Sequence, residues 1–426
     1  MVSRSNYVII IYRCNEINLI PDKRCKIHFY ETSVQYSTTV KKETLSQLFQ
    51  KGDREVSVKV LIAGGGTGGH INPGLAIAKY IAEKNPSAEI TFVGTKKGLE
   101  TKLVPREGFT LETITVRGFR RRISLDTVLA LKELVQSFFE ASRLIKKLKP
   151  DIVIGTGGYV CGPVLYVAAK KGIPTLIHES NAFPGVTNRL LEKHVNYVAI
   201  SFKDAGKYFK NKNKLVHTGN PVRQELLTSD RQAALKNLGI VEGKPLIVAM
   251  GGSRGARKIN ETIAEMLNTH FKGEFNLIFA TGEAQFEDIN LSVCLDEKYK
   301  KMVKVVPYIY DVAQVYTASD LMICRAGAIT VSELQTMGTP SILIPSPYVT
   351  ANHQEHNARS LEKDGGAVVI LENELNADLL YNQICSLISN RDILKKMSVA
   401  ATKNRMTDSA EKIYALIEEL LHRPNK

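Results

Sequence analysis

The chain of 426 residues is long enough for two domains; 44% hydrophobic and 23% charged residues make a globular composition, and no apolar run approaches the roughly 20 residues of a membrane span. Its formal charge of +14 points to anionic partners, phosphorylated substrates or an anionic membrane surface, while dispersed Lys and Arg without aromatic interleaving argue against nucleic acid. The six cysteines lie far apart with no C-x-x-C, which reads as a reduced, cytosolic chain without a disulfide framework or a zinc site.

Residues 1–55 carry no readable motif, and their short apolar core at 7–12 lacks the cleavage site of a signal peptide. They are read as an extension, disordered or arising from a start codon placed too far upstream. Beyond Val56, apolar runs of strand length alternate with helical patterns. "VKVLIAG" (58–64), "EITFVG" (89–94), "DIVIGTGG" (151–158), "IPTLIHES" (173–180) and "YVAIS" (197–201) predict buried parallel strands, with amphipathic segments such as 73–84 and 124–148 between them. After the polar stretch 210–223 the alternation restarts with "PLIVAMGGS" (245–253), "NLIFATG" (276–282), "VKVVPYI" (303–309), "DLMICRAG" (320–327) and "PSILIPSP" (340–347). Two such sets, each opening with a strand and a glycine-rich turn, predict an α/β protein of two Rossmann-like, doubly wound parallel-sheet domains with a boundary near residue 220. Ligands in such sheets bind beyond the carboxyl ends of the strands, so the glycine loops can converge on one cleft.

The first loop lies in "KVLIAGGGTGGHINPGLAIAKYI" (59–81), where Gly64, Gly66 and Gly69 satisfy G-x-G-x-x-G. A dinucleotide fold also wants an acid at the end of the next strand, but that strand ends in Gly94 and Thr95, so NAD is not expected. A tight strand–helix turn and a mononucleotide or other anion loop both remain open. "AMGGSRGARKIN" (249–260) is a second glycine turn, with a hydroxyl at Ser253 and cations at Arg254 and Arg257. "CRAGAITVSELQTMGTPSILIP" (324–345) puts Gly327, Ala328, Ile329 and Thr330 at a helix start. The free N–H groups of 328–331 suit a diphosphate. Glu333, close behind, is placed to accept from two ribose hydroxyls, or else only stabilises the helix N-terminus.

Together, "GGGTGGHINP", "GTGGYVCGP" (155–163), "HESNAFPGVTNR" (178–189), "GNPVR" (219–223), "GGSRGARKIN", "RAGAITVSE" and "HQEHNA" (353–358) resemble one family from about Val58 onward. It is the bacterial undecaprenyl-diphospho-muramoylpentapeptide β-N-acetylglucosaminyltransferases, the MurG family of GT-B fold. The resemblance implies transfer of N-acetylglucosamine from UDP-N-acetylglucosamine to the C4 hydroxyl of the muramoyl sugar of lipid I. The product is lipid II for peptidoglycan synthesis, and the anomeric centre inverts. It also implies an acceptor and membrane domain over 56–220, a donor domain over 221–398, and a C-terminal helix in 399–426 packing back on the N-terminal domain. By position, Thr67, Gly68 and Gly69 match the loop facing the donor sugar and diphosphate, and Asn181 the asparagine on the N-acetylglucosamine. Arg223 and Ser253 match donor-binding positions, and Ile309 a backbone contact to uracil. Ala328, Ile329, Thr330, Val331, Ser332 and Glu333 match the diphosphate and ribose turn, and Gln354 the glutamine on the sugar hydroxyls. Ser180 departs from the family, in which many members carry Gln before the asparagine.

An inverting transfer needs a base for the acceptor hydroxyl and stabilisation of the departing diphosphate. His70 matches the family's proposed base; its other reading is a phosphate ligand or loop cap. His178 reads as a strand-end structural histidine and His353 as part of the donor lining. No Asp-x-Asp pair stands at a strand end among these motifs, so neither metal nor cofactor is expected. The run "RGFRRR", with Arg117, Arg120, Arg121 and Arg122, is either a solvated face or a contact to the acceptor diphosphate or anionic headgroups. The segment 125–149 is amphipathic and ends in Arg143, Lys146, Lys147 and Lys149. Its apolar face is core, or it is partly exposed and docks peripherally on the cytoplasmic face of the cell membrane. Two alternatives remain: a GT-B transferase with another lipid or small-molecule acceptor, and a non-catalytic UDP-sugar-binding subunit. The second is disfavoured because both halves of the fold are present.

Overall fold

Structure is described for residues 8–9, 24–31, 34–41, 57–117, 125–223, 225–228, 230–252 and 255–423, with main chain only before residue 57 and at 125–131. In this computed structural model the chain divides into two units, Met1–Ser57 and Val58–Lys426. The first contains strands β1 (Val8–Ile9), β2 (Arg24–Glu31) and β3 (Val34–Lys41), joined as an antiparallel sheet in that order. Among β2 and β3, "RCKIHFYE" and "VQYSTTVK" are rich in aromatic and β-branched residues, which suit extended backbone. The remainder of the 1–55 extension lies outside the described residues.

The second unit holds two all-parallel sheets. The first comprises β4 (Lys59–Gly64), β5 (Glu89–Gly94), β6 (Thr110–Thr113), β7 (Ile152–Gly157), β8 (Thr175–Glu179), β9 (Tyr197–Ile200) and β10 (Leu215–His217), in the order β10-β9-β8-β7-β4-β5-β6. The second comprises β11 (Leu246–Met250), β12 (Asn276–Ala280), β13 (Val303–Val306), β14 (Leu321–Cys324), β15 (Ser341–Leu343) and β16 (Ala367–Val369), in the order β13-β12-β11-β14-β15-β16. The predicted apolar runs are these strands, and β7 and β12 are buried along their whole length because helices cover both faces. Strands β10 and β16 escaped the sequence reading, while β6 belongs to the strand-like segment that precedes "RGFRRR". Both are three-residue sheet edges and mostly half-buried; β10 shows no apolar run, and the run 367–371 that holds β16 was passed over.

Strand order reverses between β4 and β7 in the first sheet and between β11 and β14 in the second. Crevices open at such switch points. The loops after β4 and β7, and after β11 and β14, are the four glycine-rich segments of the sequence.

The helix Ser409–His422 buries Ile413, Leu416, Ile417 and Leu420 in one cluster with Val60, Ile62, Leu75 and Ile77 of the first sheet and its first helix. This helix thus packs on the first sheet's lobe, and the two lobes are tied by it as well as by residues 218–223.

Candidate active site

Each glycine loop feeds a helix, and the four helix starts share a property. The helices Gly68–Lys84, Cys161–Lys170, Arg257–Thr269 and Ala328–Met337 have no side-chain N-cap bond and no acidic residue in the first turn. By contrast Asp230, Asp311, Asn376 and Asn390 cap helices elsewhere in the second sheet's lobe. An uncapped helix start offers its first N–H groups and its positive dipole end to an anion. At Ala328–Met337 the N-cap is Gly327 and the first helical bond runs from Val331 N–H to Gly327 O. The amides of Ala328, Ile329 and Thr330 therefore stand ahead of the helical ladder. Val331 is core and Ser332 nearly so.

His70 sits in the first turn after the β4 loop, half-buried, with Thr67, Gly66 and Gly69 exposed beside it. Its Nδ1 lies 3.2 Å from Gly65 O and 3.3 Å from Thr67 Oγ1. The ring rests on Gly157, where a Cβ would come within 2.5 Å of His70 Cδ2. Gly158 (φ 90°) similarly abuts Gly65 O, so the β4 and β7 loops touch backbone to backbone. Cys161 clamps them from beneath, its Sγ–H donating to Ala63 O at 3.0 Å and its Sγ accepting from Gly157 N–H at 3.1 Å. Burial pushes this thiol up to about 12, so it stays a donor at neutral pH.

The "HESNAFPG" loop is organised by Glu179, which is buried and accepts from Asn181 N–H (2.9 Å), Gly185 N–H (2.9 Å) and Asn188 Nδ2 (2.8 Å). Asn181 is then tied to the other lobe. Fully buried Asn357 donates to Asn181 Oδ1 (3.2 Å) and to Ala326 O (3.2 Å), and accepts from Ala182 N–H (2.8 Å). Asn220 of "GNPVR" makes a parallel bridge, donating to Ser180 O (3.0 Å) and Ser332 Oγ (2.9 Å). Phe183 stacks on His356 at 4.8 Å. His353, its Nδ1 donating to Thr350 O at 2.8 Å, feels His70 and Glu179 across the seam; burial first, then His70 and His356, hold it below the ordinary imidazole range, while the bond to Thr350 O and then Glu179 oppose.

In the second lobe Arg223 Nε lies 3.0 Å from Glu333 Oε1, the arginine half-exposed and the glutamate 3% exposed in its side chain. Burial raises the Glu333 carboxyl despite Arg223. A cavity of about 440 Å³ at the β11/β14 switch point is lined by Gly251, Ala256, Arg257, Arg325, Tyr348 and Gln354 among others. Gln354 accepts from Ser346 N–H at 2.9 Å, and Arg325 is paired with Glu372 and donates to Ile344 O at 3.1 Å. Ile309 is half-buried against the lobe's core, between exposed Tyr308 and Tyr310. Thus Thr67 and Asn181 lie on the first lobe's loops and Gly68, Gly69 and His70 in the first helical turn after β4, while Arg223, 328–333, Ile309 and Gln354 lie on the second lobe. Ser253, Arg120, Arg121 and Arg122 lie outside the described residues. Arg117 is held in a two-bonded pair with Glu133.

His178 is fully buried, Nε2 3.2 Å from Gly219 O and 3.1 Å from Ser201 Oγ. Burial lowers it to about 4 against an ordinary 6.5. The unfolded chain binds this proton more readily, so the stability gained by keeping His178 neutral is whole above pH 6.5 and lost as pH falls toward 4. A drop of roughly 3 kcal/mol is expected from this group. Urea unfolding of wild type and His178→Gln between pH 7 and 4 should show a shallower pH slope in the variant; equal slopes would remove His178 from the account.

Residues 60–200 match the glycosyltransferase family 28 N-terminal domain and residues 246–413 its C-terminal domain. A UDP-N-acetylglucosamine–N-acetylmuramyl-(pentapeptide) pyrophosphoryl-undecaprenol N-acetylglucosamine transferase from Ruminiclostridium cellulolyticum is 81% identical over 364 residues, 85% of this chain and 100% of the relative. The protein of that name from Acetivibrio thermocellus is 56% identical over 366 residues, 85% of this chain and 98% of the relative. The chain belongs to this family. The crystal structure of Acinetobacter baumannii MurG superposes with TM-score 0.71 at 29% identity, covering 85% of this chain and 99% of that one. The calicheamicin glycosyltransferase CalG4 shares the fold alone, at TM-score 0.65 and 13% identity over 87% of this chain and 100% of that one. The family and the GT-B architecture implied by the motifs therefore hold.

Sequence reasoning passed over Glu100, Asn220 and Asn357, and quoted Glu179 and Gly157 without roles. Asn220 and Asn357 do stand inside quoted motifs, beside residues that were assigned. Glu100 carried a weaker signal: it is an acid six residues past Gly94, just beyond the strand end where a dinucleotide fold would want one.

Proposed function

We propose that this chain transfers N-acetylglucosamine from UDP-N-acetylglucosamine to the C4 hydroxyl of the muramoyl sugar of lipid I, making lipid II, with His70 as the base. The acceptor oxygen attacks C1 of the donor sugar while its proton passes to His70 Nε2. The C1–O bond to the diphosphate breaks, its electron pair leaves with UDP, and the configuration at C1 inverts. The N–H groups of Ala328, Ile329 and Thr330, the helix dipole behind them and Arg223 meet the charge that builds on the diphosphate. Glu333 takes the ribose hydroxyls, Ile309 the uracil, and Gln354 and Asn181 the sugar.

The observation that carries this reading is Asn357, which holds the sugar-facing Asn181 loop against Ala326, two residues before the uncapped diphosphate helix. One side chain thereby bridges the sugar loop and the phosphate helix across the seam.

The acceptor is lipid-linked, and the first lobe supports docking on a membrane surface. Val135 and Phe139 of the helix Leu125–Leu148 and Val186 and Leu190 of the helix Val186–Leu191 are exposed. Phe138, Tyr166 and His194 connect them in successive ring contacts of 5.6 and 4.9 Å. Lys170, Lys193 and Lys214 crowd His194 and, after burial, lower its imidazole. An apolar patch with a basic rim suits the cytoplasmic face of an anionic bilayer. Among the described residues no helix is long and apolar enough to cross one.

The test is a transfer assay with labelled UDP-N-acetylglucosamine and a short-chain lipid I analogue, free in solution or in anionic vesicles. Labelled lipid II is expected in both formats, with Phe139→Glu slowed several-fold only on vesicles. UDP binding without transfer would sink the acceptor assignment, and equal vesicle rates would sink the docking surface.

A further inference from the structure

We propose that Glu100 is a positioning residue for His70, acting through the single peptide group that joins Gly65 to Gly66. This rests on the reading of His70 as the base. Glu100 is fully buried and cannot touch a substrate. Its Oε1 accepts from Thr95 N–H (2.7 Å) and Thr95 Oγ1 (2.8 Å), and its Oε2 accepts from Gly66 N–H at 2.9 Å. The carbonyl of that same peptide group, Gly65 O, lies 3.2 Å from His70 Nδ1. Carboxylate, amide and imidazole thus form one line. Burial works to raise the Glu100 carboxyl, but the N–H groups of Thr95 and Gly66 and the Thr95 hydroxyl outweigh it and hold it below the usual carboxylate range.

A carboxylate on the N–H side polarises an amide and makes its oxygen a stronger acceptor. Thr67 Oγ1, 3.3 Å from the same Nδ1, can donate or accept and so does not choose a tautomer. A carbonyl can only accept. Gly65 O, sharpened by Glu100, therefore keeps the hydrogen on Nδ1 and leaves Nε2 bare for the acceptor's proton. This is the service a triad carboxylate gives its histidine directly, here delivered through one peptide unit. The surroundings leave room for this carboxylate alone: a Cβ at Gly65, Gly94 or Gly98 would come within 2.5, 2.3 or 2.0 Å of Glu100 side-chain atoms.

The experiment is nitrogen NMR of histidine-labelled full-length enzyme at a pH where the ring is neutral, with His70→Ala identifying the signals, alongside steady-state transfer kinetics. Wild type should show His70 protonated at Nδ1. Glu100→Gln retains one oxygen for Thr95 and turns an NH₂ toward Gly66 N–H. It should move His70 to a mixture of tautomers and lower kcat roughly 10- to 100-fold, with donor KM within about twofold. Wild-type His70 protonated at Nε2 overturns the proposal, and needs no variant that folds. An unchanged tautomer in Glu100→Gln also overturns it, whatever happens to kcat or the melting temperature. Transfer by His70→Ala would instead overturn the base reading, while the spectra alone judge the link to Glu100.

Discussion

His70→Ala should lose transfer by about 10²- to 10⁴-fold while still binding UDP, because the two properties reside in different lobes. The imidazole hangs on the β4 loop between Gly65 O, Thr67 and Gly157, whereas the amides of 328–330, Arg223 and Glu333 belong to the second sheet's lobe. Removing the ring leaves a small cleft-side void and takes the His70 partner from a single loop carbonyl, Gly65 O, so the fold should survive. Calorimetric titration with UDP and the lipid II assay on the same preparation make the comparison. Transfer within about threefold of wild type would eliminate the base role and return His70 to a phosphate ligand. Lost UDP binding would say the same from the other side.

Gly157→Ala is the second large effect expected, from a single methyl group. Gly157 has φ 117°, a conformation that costs other residues about 1–3 kcal/mol, so some stability is lost wherever the methyl points. It points at the imidazole, 2.5 Å from His70 Cδ2, and either the ring or the β7 loop must move. A displacement on the order of 1 Å at a reacting group is enough for roughly 100-fold in rate. Kinetics should show this loss in kcat with donor KM little changed, and a lowered thermal midpoint should accompany it. Gly172→Ala is the control, since its φ is also positive (75°) but a Cβ there meets nothing within 4 Å. It should lose stability without the loss of rate. If the two variants lose rate equally, backbone strain and not the contact with His70 is responsible.

Much of this protein is written locally. A buried parallel strand must be an apolar run, and "DIVIGTGG" or "NLIFATG" can be little else, so ten of the strands were legible without the structure. Glycine turns at strand–helix junctions announce anion loops for the same reason: only glycine lets backbone approach a ligand so closely. The run of such loops, with His70 inside the first and Glu333 behind the last, was sufficient to place the chain in its family and name its chemistry. What the sequence could not show is which distant groups hold those loops. Edge strands β6 and β10 have no continuous apolar run, since one side of each lacks a neighbour. Asn357 meets Asn181 across 176 residues, Asn220 meets Ser332 across 112, and Glu100 meets Gly66 across 34. A buried amide or carboxylate is stable only when its partners arrive, and their arrival is a property of how the sheets and lobes pack, not of any window of sequence. The sequence by itself determined the fold class, the loops and the reaction; the tertiary structure decided which buried side chains hold the Asn181 loop against the start of the helix Ala328–Met337 and fix the peptide beside His70.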